Sequence, residues 1–382
     1  MWPYWLFFML PAMLAIGMSR RAPSAVTGLH STRLDAVWGL IVLFFTLVIG
    51  LRVQVGGDWG AYIRYVERIR YYRFLEVFTL GDPGYQLINW LSAKLGWHVW
   101  GVNLFCGLVF SLGLTIFCRS LPRPWLAMTA AVPYLITVVA MGYTRQGVAL
   151  GFAMLGLVAL GRRQTAWFVF WVLLGATIHK SAVLLLPIAA LANTRNRYIT
   201  AAWVGVATLI AYFVLLQDEV DALYQNYVVA EYQSQGALIR TAMNAVPALL
   251  LLVWYKRFPL AQGEAPLWRW FAIISLALMV VLLGTPASTA VDRVALYMLP
   301  LQLVVFSHFP EVWGRRPETR ALLVLAVVAY YALVHICLAQ FCQPRFCLVA
   351  LPQRSVRVAL CGQLVLYDSR NHSVCQYVVV FV

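Results

Sequence analysis

The stretch AWFVFWVLLGATIHKSAVLLLPIAALA, residues 166–192, runs for 27 residues with one consecutive polar break, His179-Lys180-Ser181. An apolar run of about 20 residues is enough to cross a bilayer as a helix. Residues 166–192 are therefore either one long tilted helix or two short ones that turn at Ile178-His179-Lys180-Ser181. Charge decides between them, because Lys and Arg are retained in cytoplasmic loops. A single crossing would put Lys256, Arg257, Arg315 and Arg316 on the opposite side from the other basic pairs. The rule favours two short, re-entrant half-helices, and non-helical backbone at that depth needs protein or a wet cavity to satisfy it.

Working outward, the same texture holds along most of the chain. Hydrophobic residues make up 62% of it and charged residues 11%, and the charges sit in short clusters between apolar runs. Further runs occupy residues 2–18, 35–51, 98–118, 124–141, 147–161, 198–216, 241–255, 270–284, 294–308 and 321–338. With 15 Trp and 19 Tyr to anchor helices at the interface, this is an all-α integral membrane protein. The expected architecture is a polytopic bundle of about 12 helices with both ends outside. One set of loops carries Arg20, Arg21, Arg33, Arg119, Arg123, Arg162, Arg163, Arg195, Arg197, Lys256, Arg257, Arg269, Arg315, Arg316 and Arg320 and reads as cytoplasmic. The opposite face holds isolated Arg145, Lys180, Arg240 and Arg293 and the long segment from Arg52 to Trp97.

The net charge of +15 is spread over loop pairs and forms no continuous face, so no nucleic-acid partner is expected. The first apolar run lacks a small-residue cleavage site and is followed by Arg20 and Arg21, which reads as a retained span. Seven cysteines fit no zinc spacing; Cys106 and Cys118 read as packing residues. The remaining five lie in the last 46 residues, where apolar periodicity also collapses. The expected division is a polytopic domain over residues 1–340 and an atypical tail over 341–382, either frameshifted or naturally divergent.

Candidate site residues gather on the outside face. Arg52 ends a span, two glycines turn the chain, and Asp58 and Tyr62 follow one helical turn apart on a shared face. Asp82-Pro83-Gly84-Tyr85 opens an interfacial amphipathic helix with Tyr85, Ile88, Trp90, Leu91 and Leu95 on its apolar side. Thr144-Arg145-Gln146 puts an always-charged guanidinium at the mouth of an apolar run, a placement that fits a wet cavity or an anion. Its planar fork matches phosphate oxygens. His179 is a candidate base or donor near neutral pH. Asp292-Arg293 with Tyr297 lies at the outer end of another span, where the acid and base can pair with each other. Residues 217–240 mix acids and tyrosines, which suits sugar recognition and equally any solvated loop. Nucleotide, dinucleotide, serine-hydrolase and zinc-protease motifs are missing, so no cofactor and no metal site is expected.

Arg52, Gly57-Asp58, Tyr62, Gly84-Tyr85, Thr144-Arg145-Gln146, His179-Lys180-Ser181, Arg293 and Tyr297, in this order, resemble the EpsG-like, Wzy-type polymerases of bacterial exopolysaccharide and O-antigen synthesis. The similarity covers about residues 35–335. It implies a GT-C-like glycosyltransferase of the bacterial inner membrane that joins undecaprenyl-diphosphate-linked oligosaccharide repeat units outside the cytoplasm. It also implies a flippase and a chain-length regulator as partners. Asp58, His179 and Arg145 are then the catalytic candidates, with Arg52, Tyr62, Tyr85, Gln146, Lys180, Arg293 and Tyr297 binding substrate. Displacing a diphosphate calls for cations where negative charge develops, and an acceptor hydroxyl calls for a base. The competing expectations are a transporter or flippase of lipid-linked sugars and a membrane acyltransferase acting on polysaccharide.

Overall fold

The computed structural model describes residues 2–20, 34–56, 58–188, 197–215, 237–261, 263–284 and 288–341, and the described elements are helices without strands. The atypical tail and the acid-and-tyrosine loop of residues 217–236 lie outside the described residues. The first elements are α1 (Trp2–Gly17), α2 (Ala36–Gly50), α3 (Trp59–Ile69), α4 (Pro83–Lys94) and α5 (His98–Arg119). The middle of the chain gives α6 (Pro124–Ala131), continued as a π-helix over Val132–Ala140, then α7 (Thr144–Gly161) and α8 (Thr165–Ile178). After these come α9 (Arg197–Leu215), α10 (Ala237–Val253), α11 (Ala265–Gly284), α12 (Ser288–Tyr297), α13 (Pro300–Trp313) and α14 (Pro317–Phe341).

Four of these helices, α5, α7, α11 and α14 over Pro317–Leu338, are long and apolar enough to cross a membrane. A fifth candidate is the pair Val291–Tyr297 and Pro300–Trp313, bent by 43° at the break before Pro300. Six shorter apolar helices accompany them, which is the composition of a helical membrane protein. Apolar exposure agrees: α2 buries Trp38, Ile41, Val42, Phe45 and Ile49 on one face, yet leaves Val37, Leu40, Leu43 and Leu47 open on the other. A helix in water does not leave both faces apolar, whereas one against lipid does. Asp35 caps α2 by accepting from the Trp38 amide at 3.1 Å.

Helix α7 is the centre of the first half, packed between α5 and α8, with α2 on the far side of α5. Close approach comes from missing side chains: a Cβ on Gly151 would stand 2.7 Å from the Phe110 Cα and 2.9 Å from the Val109 carbonyl. Small residues at such crossings drive helix association in lipid, where tails are as apolar as leucine. Helices α10, α11, α12 and α13 form the second half, and α6 joins the two by packing on α1, α13 and α14. The run over residues 124–141 changes from α to π one residue before Pro133, which has no N–H to continue the α ladder. The Thr137 hydroxyl donates to the Val132 carbonyl at 2.9 Å within the π segment.

At the long apolar stretch, α8 ends at Ile178, His179 is extended, and a 3-10 helix follows over Lys180–Leu185. The expected turn is present; its second arm is a 3-10 helix, and residues 189–192 lie outside the described set. Charges collect at the two ends of α5. Arg52 bonds Asn103 near its start, while Arg119 at its other end pairs with Asp35 at 3.2 Å. Asn103 to Arg119 rises about 24 Å at ~1.5 Å per residue. The Arg119 end also holds Arg123 against Glu311 at 2.7 Å and the Ser19 carbonyl at 3.1 Å.

One expectation changes. In α4 the buried residues are Tyr85, Asn89 and Ser92, while Leu91 and Leu95 are 46% and 61% exposed. Close polar packing explains this. Ser92 Oγ donates to the His98 carbonyl, Asn89 Nδ2 to the Tyr85 carbonyl at 2.8 Å, and Gly84 lies directly on Thr177 of α8. The leucines are left facing outward from the cap that α3 and α4 form over α5 and α8.

Candidate functional site

Arg52 leaves the end of α2 and turns back into the bundle, 6% exposed. Its Nη1 donates to the Ile49 carbonyl at 2.6 Å, and its Nη2 to Asn103 Oδ1 at 3.2 Å and to the Thr144 hydroxyl. One guanidinium thus ties α2, α5 and the first residue of α7. Gly56, at φ +95°, then lets the chain pass 3.0 Å (measured from a Cβ it lacks) from Gly142 Cα and the Met141 carbonyl. Only glycine takes that conformation freely. The turn before α7 is in this way fixed from two sides.

Arg145, the next residue, is aimed differently. Its Nη1 donates to Asp82 Oδ2 at 3.0 Å, and its guanidinium lies 5.7 Å from the Tyr65 ring and 5.8 Å from the Tyr85 ring. The Tyr62 ring meets both tyrosines, at 6.3 Å from Tyr85 and 6.5 Å from Tyr65. The side chain keeps 34% of its exposure. Its Nε and Nη2 have no acceptor among the described residues. This is a cation held by one nitrogen and two aromatic faces, with the rest of its fork open.

Three more elements reach the same end of the bundle. Gln146 Nε2 donates to the Arg293 carbonyl at 2.9 Å, which joins α7 to α12. Tyr297, buried at the end of α12, shares a hydrogen bond of 3.1 Å with the Ser181 hydroxyl. His179 lies within electrostatic reach of Arg145 and Arg293, and its buried Nε2 has no hydrogen-bond partner. Burial pushes the Tyr62 phenol up to about 12, with nearby Asp58 adding to the push. Burial also raises Tyr85.

The structure therefore brings together Arg145, Gln146, His179, Lys180, Tyr297 and the backbone of Arg293, with Tyr62 and Tyr85 beside them. Asp58 is exposed at the start of α3, at the edge of this group, and its charge reaches Tyr62. Arg52 belongs to the scaffold beneath. Asp292 takes a two-pronged ion pair with Arg240 of α10, both side chains 9% exposed. Arg240 reaches it because α10 packs along α12, a neighbour no sequence distance reveals.

Several contributors escaped sequence reasoning. Asp82 reads as a helix start but is the Arg145 partner, and Tyr65 is visible only as the residue one turn after Tyr62. Behind the site, Asn244 Nδ2 donates to the Ala295 carbonyl at 2.8 Å, Gln302 Nε2 to Asn244 Oδ1 at 2.9 Å, and the Tyr331 hydroxyl to Gln302 Oε1 at 3.0 Å. Lone amides inside apolar runs were the signal for this chain of bonds across α10, α12, α13 and α14.

Fold and site together define a multi-pass helical membrane protein with a cationic, tyrosine-walled site at one end of its bundle. The chain belongs to the EpsG family, whose model matches residues 35–347. No curated protein and no solved structure matches it. Family membership carries with it a polysaccharide-polymerase type of function.

Proposed function

We propose that this protein polymerises undecaprenyl-diphosphate-linked oligosaccharide repeat units into surface or exopolysaccharide at the outer face of the bacterial inner membrane. In this reading the bundle is GT-C-like, with about 12 crossings and the Arg145 end outside. The single observation that supports it best is Arg145, fixed by Asp82 and two rings while Nε and Nη2 stay open. An anion is the natural occupant of such a fork. Arg293 and Lys180 add positive charge from facing elements; half-buried Tyr65 offers the sugars a ring face, and buried Tyr62, Tyr85 and Tyr297 back the site and reach the substrate by their hydroxyls.

The reaction we infer is an inverting, metal-independent transfer. The acceptor hydroxyl oxygen attacks the anomeric carbon as its bond to the diphosphate breaks, the acceptor proton passes to Asp58 or His179, and undecaprenyl diphosphate leaves. Cations placed where the leaving charge develops lower the barrier. Arg52 supports the site by holding the start of α7. A flippase and a chain-length regulator would act beside it.

The test is gel analysis of surface polysaccharide in a deletion strain complemented with this chain. Long polymer restored by the wild type and lost with Arg145→Ala supports polymerisation. Lipid-linked single units accumulating on the cytoplasmic side of the deletion strain would sink it. That outcome favours a flippase, a reading supported by the 43° break between α12 and α13, since discontinuous helices recur in transporters.

A further inference from the structure

Beside the Arg145 site, between α3 and the end of α4, lies a cavity of about 950 Å³. It is at the upper end of the ~300–1,000 Å³ typical of small-molecule sites. Its charge is one-sided: Arg64, Arg68, Arg70 and Lys94 line it against a single carboxylate, Glu67. None of the three arginines makes an ion pair among the described residues, and Lys94 contacts only the Arg70 carbonyl at 3.3 Å and the Trp90 ring at 5.6 Å. Arg64 and Arg68 stand four residues apart on one helix face, where like charges repel. The opposite face of α3 buries Tyr62, Val66 and Ile69, so packing fixes which way the arginines point.

We propose that this cavity holds an acidic sugar of the glycan chain, so that the repeat unit handled at the Arg145 site is an anionic oligosaccharide. Three observations favour a glycan. The cavity shares a wall with the site: Tyr65 lines it, and the same ring lies 5.7 Å from the Arg145 guanidinium. A chain seated in the cavity thereby lies one ring away from the open fork. Tyr71, 87% exposed, and Tyr65 offer ring faces on which sugars stack, which a lipid headgroup does not use. The unpaired cations supply the counter-charge that carboxylated or phosphorylated sugars need. The substrate class rests on the polymerase reading; the cavity's preference for acidic glycan can be measured without it.

The experiment uses the full-length protein purified in detergent, with oligogalacturonate and a neutral dextran oligosaccharide of equal length as probes. Thermophoresis at low and high salt reads affinity, and native mass spectrometry reads retained phospholipid. Wild-type protein should bind the acidic probe at least tenfold more tightly than the neutral one. That preference should fall steeply with salt and disappear in the combined variant Arg64→Gln, Arg68→Gln, Lys94→Gln. The single variant Arg315→Gln, an exposed arginine near Glu311 and Arg123 at the other end of the bundle, should keep all of it, and an unchanged unfolding temperature in detergent reports correct folding of the combined variant. Equal affinity for the two probes, or an unchanged preference in the combined variant, overturns the proposal. So does a combined variant that loses only retained phosphatidylglycerol, which would make the cavity a lipid-headgroup site. Failure of polymer to appear in the complemented strain while the acidic preference stands would instead strike the polymerase reading.

Discussion

Replacing Arg145 by lysine and by alanine separates charge from shape at the proposed diphosphate site. A unit charge about 4 Å from a phosphate oxygen contributes roughly 1 kcal/mol in water and roughly 4 kcal/mol at a protein surface. Arg145 keeps 34% of its side-chain exposure, so its value lies between these limits. Each ring contact adds about 0.5–1 kcal/mol, and there are two, at 5.7 and 5.8 Å. Lysine retains the charge and loses the fork and the fit to the rings, a loss of about 1–2 kcal/mol or roughly 5- to 30-fold in rate. Alanine removes all of it and leaves Asp82 facing the diphosphate, for a loss of about 10²- to 10³-fold. The assay is release of undecaprenyl diphosphate from a synthetic lipid-linked repeat unit by purified protein. Because the charge develops in the transition state, kcat should fall more than KM rises. Equal turnover in all three proteins refutes the clamp, and a lysine variant no better than alanine refutes the share assigned to charge.

Other outcomes follow from the same contacts. Arg52→Ala strands the Asn103 amide, the Thr144 hydroxyl and the Ile49 carbonyl, and should lower stability by roughly 2–4 kcal/mol, read as earlier thermal unfolding in detergent. Arg240→Met alone should destabilise by about 3–5 kcal/mol by taking the guanidinium from buried Asp292; adding Asp292→Leu should recover most of it, and no recovery in the double variant counts against the pair. Gly151→Leu should separate α5 from α7 and cost at least ~1–3 kcal/mol, the range for overpacking, whereas a neutral result would contradict the crossing described. Tyr62 keeps its proton longer folded than unfolded, so its contribution is full below about pH 10 and lost as pH rises toward 12; Tyr62→Phe should flatten that part of an alkaline unfolding curve. Of Asp58→Asn and His179→Gln, the one that abolishes turnover while retaining polymer-precursor binding names the base. Replacing residues 341–382 by the sequence of the other reading frame should leave membrane insertion unchanged and show, by polymer length, whether the tail limits activity.

How far the sequence reached differs by feature. Membrane embedding, the order of the apolar runs and the turn at Ile178-His179 were legible, because each depends on composition and spacing within one segment. Thr144-Arg145-Gln146 and Tyr297 were legible as candidates for the same reason: charge or polarity at the mouth of an apolar run is costly and so stands out. The family, too, was readable from motif order. Pairings between distant helices were not. Nothing local distinguishes Arg52, turned inward onto three acceptors, from Arg145, held open by Asp82, since both are arginines at the end of a span. Nor does spacing tell that Asp292 meets Arg240, 52 residues away. Those choices depend on which helices pack together, and in lipid that is set by close contacts such as Gly151 on Phe110 and Gly84 on Thr177. Hydrophobic pattern determined that the chain enters the membrane; helix contacts decided which of its arginines remained open to an anion.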